Sequence, residues 1–339
     1  MRPTLPLLLM TVLQGLSGGL MISFGVLWWL VPSALPTLDI LLWSAFLIAA
    51  IGGVASLFHM HKPKAGRYIL RRLRTSWLSR EALTTGIYVP ALGVLVILPH
   101  LVPKIPLEYY GLGIVFTGVL GLVAMYVTAM LYATIPAMRS WHTRLTVIAM
   151  MLVGIVSGMA VAEGILAVAH VPGAGGRDFH IALLVGIAVL AGIKWMQYRH
   201  FLEARQSLRT ATGTGMPAAP YRLIDSGTTK LPYRTQTQVG PELAPRRRQM
   251  LYVMMGLTLI VVPMALQIFP LQPAELGIRW TSAAIVMVCG AFVERWLFFA
   301  DVTHSSRVWF GDELKRASSV SSNRVSPDFV RRFRHQDGL

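Results

Sequence analysis

Residues 59–81 read HMHKPKAGRYILRRLRTSWLSRE and separate two long apolar runs of the chain. The segment holds seven Lys/Arg residues, two histidines and one carboxylate, Glu81, at the mouth of the following apolar run. Because each flanking run has about twenty residues, the length that crosses a bilayer, we expect a membrane surface to pass through this segment. An ionisable group at such an edge is costly to desolvate, and it therefore marks a candidate functional site.

The composition predicts an all-α integral membrane protein. Of 339 residues, 54% are hydrophobic and 14% are charged, and the mean hydropathy is +0.57; ordinary soluble domains have about 25% charged residues. The net charge of +16 is also typical of nucleic-acid-binding proteins. Here, however, the basic residues border apolar runs and form no separate basic domain, so we expect no nucleic-acid partner.

Eight transmembrane helices are predicted, at about residues 5–31, 39–60, 82–101, 110–133, 145–169, 179–198, 250–269 and 280–300. We call the membrane face that carries Arg2 side A and the opposite face side B. With strict alternation, the segments on side A hold 26 Lys/Arg residues and those on side B hold 3. The positive-inside rule then makes side A cytoplasmic, with both termini inside, and we expect the bacterial inner membrane.

Two domains are expected: an eight-helix anchor domain over residues 1–300 and a basic cytoplasmic tail over residues 301–339. The anchor domain includes a cytoplasmic loop, residues 199–248, which is rich in Thr, Pro, Gly and Arg and has no helical period. Loop and tail are either solvated segments in contact with lipid headgroups or segments that become ordered against a partner subunit.

The chain offers few ligands for a metal of its own. Its one cysteine, Cys289, lies inside an apolar run, which excludes a disulfide framework and a cysteine-ligated iron–sulfur cluster. The histidines lie at or outside the edges of the spans, so we predict no haem and no metal site. Any electrons must pass through an organic carrier or through metals in a partner.

His59, His61 and Glu81 all fall at side A. A proton-coupled redox site needs a group that takes a proton near neutral pH; histidine does so unperturbed, and a carboxylate does so once burial raises its pKa. A plain structural interpretation remains open for both residue types. His59 is then a histidine at headgroup level, and Glu81 is a helix N-terminal carboxylate paired with Arg74 or Arg80.

Other polar residues inside the spans have competing interpretations. In the first span, Gln14 and Gly18 belong either to close helix packing or to the wall of a flat ligand site. Glu163 either pairs with a polar group of a neighbouring helix or belongs to a proton path. Lys194 is expected to extend to side A, and Arg295 to point into the bundle.

Three motifs resemble the membrane anchor subunits of the dimethyl sulfoxide reductase (DmsC) family. Gln14 with Gly18-Gly19 fits the family's Q-x-x-x-G-G in its first helix, and Leu57-Phe58-His59 through Pro63 is similar to its L-H-L-G-S-P. The run from Thr75 to Glu81 is similar to its S-x-L-S-x-E, and the separation of 22 residues between His59 and Glu81 also agrees. One departure is His61-Lys62, which replaces the family's Gly-Ser and adds a second titrating group.

The resemblance implies an eight-helix, quinone-reactive anchor, with His59 and Glu81 exchanging protons with ubiquinone or menaquinone. The partners it implies are an iron–sulfur subunit and a molybdopterin catalytic subunit, expected on the cytoplasmic face because the site lies on the basic side. Arg71, Arg74 and Arg80 either stabilise negative charge on the quinone or dock the partner. The full set of expected quinone-binding residues is Gln14, Gly18, His59, His61, Arg71, Arg74, Trp77, Arg80 and Glu81.

Within the family, the run from Glu294 to Phe299 is similar to anchors of cytoplasmic sulfite-oxidising enzymes (SoeC-like). Sulfite oxidation with reduction of quinone is therefore the expected reaction of the complex. The reverse flow, in which quinol oxidation supports reduction of an S- or N-oxide, stays open. So do a purely structural anchor and a transporter, although the chain has neither a clear inverted repeat nor broken helices with polar midplane residues.

Overall fold

The computed structural model describes residues 3–30, 35–59, 63–102, 105–169, 176–206, 243–268 and 276–305. This part of the chain is helical and contains no strand, only an isolated antiparallel bridge between Met138 and His304. Eight helices in it are long and apolar enough to cross a membrane, which confirms the predicted number. They are α1 (Leu5–Leu30), α2 (Leu35–His59), α3 (Trp77–Leu101), α4 (Leu107–Ala133), α5 (Arg144–Val168), α6 (Arg177–Gln206), α7 (Pro245–Ile268) and α8 (Leu276–Ala300).

Several helices continue beyond their apolar runs. Helix α6 ends at Gln206 and α7 begins at Pro245, so the expectation that residues 199–248 lack helix is wrong at both ends of that segment. Arg and Gln are good helix formers, and proline is favoured at a first helical position, so the helices extend into the polar region. Most of the predicted loop and tail, residues 207–242 and 306–339, lies outside the described residues.

Helix α1 lies at the centre of the bundle and packs on α2, α4, α5 and α8. Its contact with α5 brings the two backbones together at glycines. A Cβ atom added at Gly19 would lie 2.2 Å from the Gly154 carbonyl oxygen, and one added at Gly158 would lie 2.3 Å from the Gly19 carbonyl carbon. Such an approach is possible only without side chains, and it sets the position of α1 against α5.

The side-A ends of α4, α5 and α8 are tied together. The α4–α5 connection bonds to the segment after α8, through Arg139 N–H to Thr303 O (3.1 Å) and Ser305 N–H to Ala137 O (2.9 Å). The Trp141 indole N–H donates to Phe298 O at 2.9 Å, and the two rings stack with centroids 5.1 Å apart. Residues 301–305 therefore have a fixed place next to the end of α4.

Gly158→Ala should destabilise the protein, because the new methyl group would meet the backbone of α1. Overpacking of this kind costs about 1–3 kcal/mol. The matched control is Gly118→Ala on α4, where an added Cβ meets nothing within 4 Å. Thermal unfolding in detergent should show a lower midpoint for Gly158→Ala and an unchanged or slightly higher one for Gly118→Ala. Equal midpoints would contradict the backbone contact.

Candidate functional site

A tight turn leads from the basic segment into α3. A 3₁₀ helix (Pro63–Arg72) precedes it, and Ser76 caps α3 by accepting a hydrogen bond from the Ser79 N–H at 3.3 Å. The Arg80 guanidinium folds back onto the turn and donates to the carbonyl oxygens of Leu73 (2.9 Å) and Arg74 (2.8 Å). It also lies 4.2 Å from the centroid of the Trp77 ring. Arg80 therefore holds the turn and is not an ion-pair partner of Glu81.

Glu81 turns away from the basic segment and into the bundle, where it is 4% exposed. Its Oε1 accepts a hydrogen bond from the Thr128 hydroxyl on α4 at 2.8 Å. Of the described Lys and Arg side chains, none lies within ion-pair distance of this carboxylate. The pairing with Arg74 or Arg80 that the sequence left open is therefore not formed.

This arrangement distinguishes Glu81 from the other buried carboxylates in the described residues. Glu163 contacts His180 Nδ1 at 2.7 Å, and Glu294 contacts Lys194 Nζ at 2.7 Å. Asp301 is paired with Arg205. Each of these three has a basic partner, whereas Glu81 has a neutral hydroxyl. A buried carboxyl group without a counter-cation is suited to take up and release a proton.

Gln14 of α1 brings a further polar side chain to the face of α3 that carries Glu81. Its side chain is 5% exposed, and its Nε2 donates to the Thr85 hydroxyl at 3.0 Å. Thr85 follows Glu81 by four residues on α3, so the two lie on the same helix face. The Gln14 Oε1 atom is buried and has no hydrogen-bond partner among the described residues. Helices α1, α3 and α4 thus bring Gln14, Glu81, Thr85 and Thr128 into one polar patch.

The remaining expected residues lie elsewhere or outside the described ranges. His59 is the last residue of α2, but its side chain is not described, and His61 lies outside the described residues. Gly18 faces α4, where an added Cβ would lie 2.5 Å from Met125 Sδ. Helix packing therefore fills the space next to Gly18.

Arg71 and Arg74 are exposed on the segment before α3, with the Arg71 guanidinium 4.6 Å from the centroid of the Tyr68 ring. Trp77 is half-buried, and its ring meets Tyr126 of α4 edge to face, with centroids 6.2 Å apart. The structure therefore brings Gln14 next to the face of α3 that carries Glu81, and leaves Arg71 and Arg74 on the surface.

Sequence reasoning missed Thr85 and Thr128. A threonine inside an apolar span usually bonds its own helix, as Thr117 does with Gly113 O at 2.8 Å, so the residue type alone gives no signal. For Thr85 a usable signal existed, since it follows Glu81 by one helical turn. For Thr128 none existed, because its contact depends on how α4 is rotated against α3.

Two predictions about other buried charges have clear outcomes. Glu163 pairs across helices, with His180 and with Gln267 Nε2 (2.7 Å), as one of its two interpretations required. Lys194 was expected to extend to side A, and this is wrong: its ammonium group is buried and bonds Glu294 of α8. The buried carboxylate offsets the cost of desolvating the lysine, so the side chain stays inside.

No group of three or more His, Cys, Asp or Glu side chains that could hold a metal ion occurs in the described ranges. The polar patch at Glu81 instead consists of a carboxyl group, an amide and two hydroxyls. These groups donate and accept hydrogen bonds, which suits an organic ligand with carbonyl or hydroxyl oxygens.

A model of the DMSO reductase anchor subunit (DmsC) family matches residues 1–300. The chain belongs to the DmsC family. It is therefore a multi-pass membrane anchor subunit of a molybdopterin oxidoreductase, and the resemblance seen in the three sequence motifs is confirmed.

Two relatives are similar over most of their length. The C subunit of sulfite dehydrogenase from Allochromatium vinosum is 25% identical over 281 residues, which cover 78% of this chain and 82% of the relative. Anaerobic dimethyl sulfoxide reductase chain YnfH of Escherichia coli is 26% identical over 209 residues, which cover 61% of this chain and 72% of the relative. One of these relatives is thus named for a dehydrogenase and the other for a reductase.

Arg80→Ala should loosen the turn before α3, because it removes two hydrogen bonds from a charged donor. We expect backbone amides of residues 75–80 to exchange about tenfold faster, as for a loss of about 1.4 kcal/mol in local stability. Hydrogen–deuterium exchange with mass spectrometry measures this. Arg71→Ala is the matched control, since this exposed arginine contacts only the Tyr68 ring in the described structure. Equal exchange in the two variants would contradict the assigned role of Arg80.

Proposed function

We propose that this chain is the quinone-reactive subunit of its complex and that Glu81 and His59 exchange protons with the quinone at side A. The observation that supports this most strongly is the environment of Glu81: a buried carboxyl group at the membrane edge, bonded to the Thr128 hydroxyl at 2.8 Å and without a paired cation among the described residues. Loss or gain of a proton there changes the charge of the site without breaking an ion pair.

The polar patch offers the kinds of hydrogen-bonding group that a quinone ring requires. A bound quinone supplies two-electron, two-proton chemistry and presents two ring oxygens that accept hydrogen bonds or, as quinol, donate them. Gln14 Oε1 is a buried acceptor with no partner among the described residues, so it can accept from a quinol hydroxyl. Thr85 fixes the amide through its bond to Nε2. Gln14 would thus orient the ligand, while Glu81 takes or gives the proton.

His59 is proposed as the second proton-exchanging group, because it ends α2 and its motif is similar to that of the family. His61, two residues further, stays a predicted additional titrating group outside the described residues. Trp77 remains a proposed part of the site wall, whereas Gly18 packs against Met125 of α4. We assign Arg80 to shaping the turn and Arg71 and Arg74, which are exposed, to contact with the partner subunit or with negative charge on the ligand.

For the whole complex we propose sulfite oxidation coupled to quinone reduction. The support is the similarity to the sulfite dehydrogenase protein of A. vinosum, which extends over 82% of that relative. The iron–sulfur subunit and the molybdopterin catalytic subunit would lie on the cytoplasmic face of the bacterial inner membrane, above Glu81. The similarity to YnfH supports a second candidate, quinol oxidation with reduction of an S-oxide. Assays of the purified complex with sulfite plus quinone, and with dimethyl sulfoxide plus quinol, would distinguish the two.

The proposed orientation puts both termini, the loop 199–248 and the tail 301–339 in the cytoplasm, since side A carries 26 of the Lys/Arg residues. Fluorescent-protein fusions after Leu339 and within residues 207–242 should therefore fluoresce, and alkaline phosphatase fused at residue 104 should be active. The reverse pattern would place Glu81 at the periplasmic face and would contradict the proposed cytoplasmic location of the partner subunits.

Glu81→Gln should abolish most quinone turnover while keeping the fold, because the amide can accept the Thr128 hydrogen bond but cannot exchange a proton. Loss of general acid–base catalysis lowers rates about 10²–10⁴-fold. Turnover is measured on the purified complex with a soluble quinone, and quinone-analogue binding and thermal midpoint are measured alongside.

Glu163→Gln is the control for this experiment, since it removes another buried carboxylate, at the side-B end of α5. It should leave turnover per folded complex unchanged. If the Glu81→Gln variant turned over quinone at the normal rate, Glu81 would have a structural role only, and the proposed proton exchange would be contradicted.

A further inference from the structure

Two hydrogen bonds on successive turns link the side chains of α1 and α3. The first joins Gln14 Nε2 to the Thr85 hydroxyl at 3.0 Å. The second lies one turn further along both helices, where the hydroxyls of Ser17 and Tyr88 are 2.9 Å apart. The sequence separation is 71 residues in each pair, as expected for parallel helices in constant register. The first bond belongs to the polar patch at Glu81, whereas the second has no part in the chemistry proposed so far.

The bond between Tyr88 and Ser17 continues to α2. Ser17 Oγ lies 2.8 Å from the Ala45 carbonyl oxygen, which can only accept, so Ser17 donates its single proton there. The Tyr88 hydroxyl must therefore donate to Ser17. No other hydrogen bond joins α2 to a neighbouring helix within the described ranges. Tyr88, Ser17 and Ala45 thus form a directed chain of hydrogen bonds across α3, α1 and α2.

Tyr88 connects two helices that do not pack closely on each other. Helix α3 packs on α2 and α4, whereas α1 packs on α2, α4, α5 and α8. The Tyr88 side chain is buried against α4, where a Cβ atom added at Gly121 would lie 3.1 Å from Tyr88 Cε2 and 3.4 Å from its hydroxyl oxygen. Because α4 holds the ring in this way, the hydroxyl has a defined position between α3 and α1.

The register of α1, α2 and α3 decides the geometry of the quinone site. Helix α3 carries Glu81 about two turns before Tyr88. Helix α1 carries Gln14, and α2 ends at His59. Apolar surfaces gain little from meeting each other in lipid, so directional hydrogen bonds specify the rotation and depth that apolar contacts leave open. Without the Tyr88 bond, the Gln14 amide would have to hold α1 against α3 and orient the ligand at the same time.

We propose that Tyr88 is a positioning residue of the quinone site. Its hydroxyl fixes α3, which carries Glu81, against α1 and α2, and thereby against Gln14 and the end of α2. Tyr88 itself exchanges no proton with the quinone. The inference rests on the proposed quinone chemistry at Glu81. Small displacements matter there, because a shift of about 1 Å between reacting groups lowers rates about 10²-fold.

The test is quinone turnover by the purified complex carrying Tyr88→Phe, which removes the hydroxyl and keeps the ring. Because loss of one bond permits only a partial displacement, kcat per folded complex should fall about tenfold. The factor should be the same across the pH profile, since the group that titrates is still Glu81. Ser17→Ala interrupts the same chain, so it should lower kcat to the same degree, and the double variant should be no slower than either single variant.

Tyr110→Phe is the matched control. Tyr110 is also a buried tyrosine whose hydroxyl bonds α3, at the Leu95 carbonyl oxygen (3.3 Å), but it lies near side B. Its loss should affect the thermal midpoint at most and leave kcat per folded complex at the native value. A purely structural role of Tyr88 predicts the same behaviour for Tyr88→Phe.

Three results would overturn the role of Tyr88 and leave the proton exchange at Glu81 standing. They are a native kcat per folded complex in Tyr88→Phe, an equal loss of kcat in Tyr110→Phe, and a pH profile whose shape changes in Tyr88→Phe, which would make Tyr88 a titrating group. A native kcat in Glu81→Gln would instead contradict the proposed function, and this inference with it.

Discussion

The contact between the backbones of α1 and α5 is the constraint on which the rest of the bundle depends. At Gly19 and Gly158 the two helices approach so closely that even a methyl group would clash with the opposite main chain. Apolar surfaces gain little from meeting each other in lipid, so a membrane helix pair depends on close packing of this kind. Once α1 is fixed in this way, Gln14 faces Thr85 of α3. The position of Gln14 in the polar patch at Glu81 therefore depends on the glycine contact between α1 and α5.

Buried carboxylates in this bundle differ by the partner that each one has. Glu163, Glu294 and Asp301 meet a histidine, a lysine and an arginine, and such pairs hold neighbouring helices together at the cost of desolvation. Glu81 meets a threonine hydroxyl, which satisfies one oxygen but does not fix the charge. An ion pair would hold the carboxylate in its charged form, whereas a neutral partner lets the group exist in either form. The electrostatic difference between these residues separates structural pairs from a group suited to proton exchange.

The sequence alone predicted the eight helices, because apolar runs of bilayer length separated by basic segments allow few other interpretations. It also pointed to Glu81, since a carboxylate at the mouth of an apolar run stands out by position. The contacts of Glu81 and Lys194 were not predictable in the same way. Thr128 follows Glu81 by 47 residues, and Glu294 follows Lys194 by 100, so each contact depends on the rotation of one helix against another. Single-sequence periodicity is weak in helices that are apolar on all sides, and lysine at the end of a span more often extends to the headgroups than inward. Family motifs carried the expectation for His59, whose side chain lies outside the described part of the chain.

The hydrogen bonds between the α4–α5 connection and residues 301–305 have a mechanical consequence. Ser305 and Thr303 are bonded to Ala137 and Arg139, and the Trp141 indole holds Phe298, so the chain leaving α8 is anchored to the end of α4. Helix α4 carries Thr128 less than two turns before that end. Tension applied to the chain after Ser305 would therefore reach the hydroxyl that holds Glu81 without passing through lipid. The segment that leaves α8 is therefore linked, through the α4–α5 connection, to the helix whose Thr128 hydroxyl bonds Glu81.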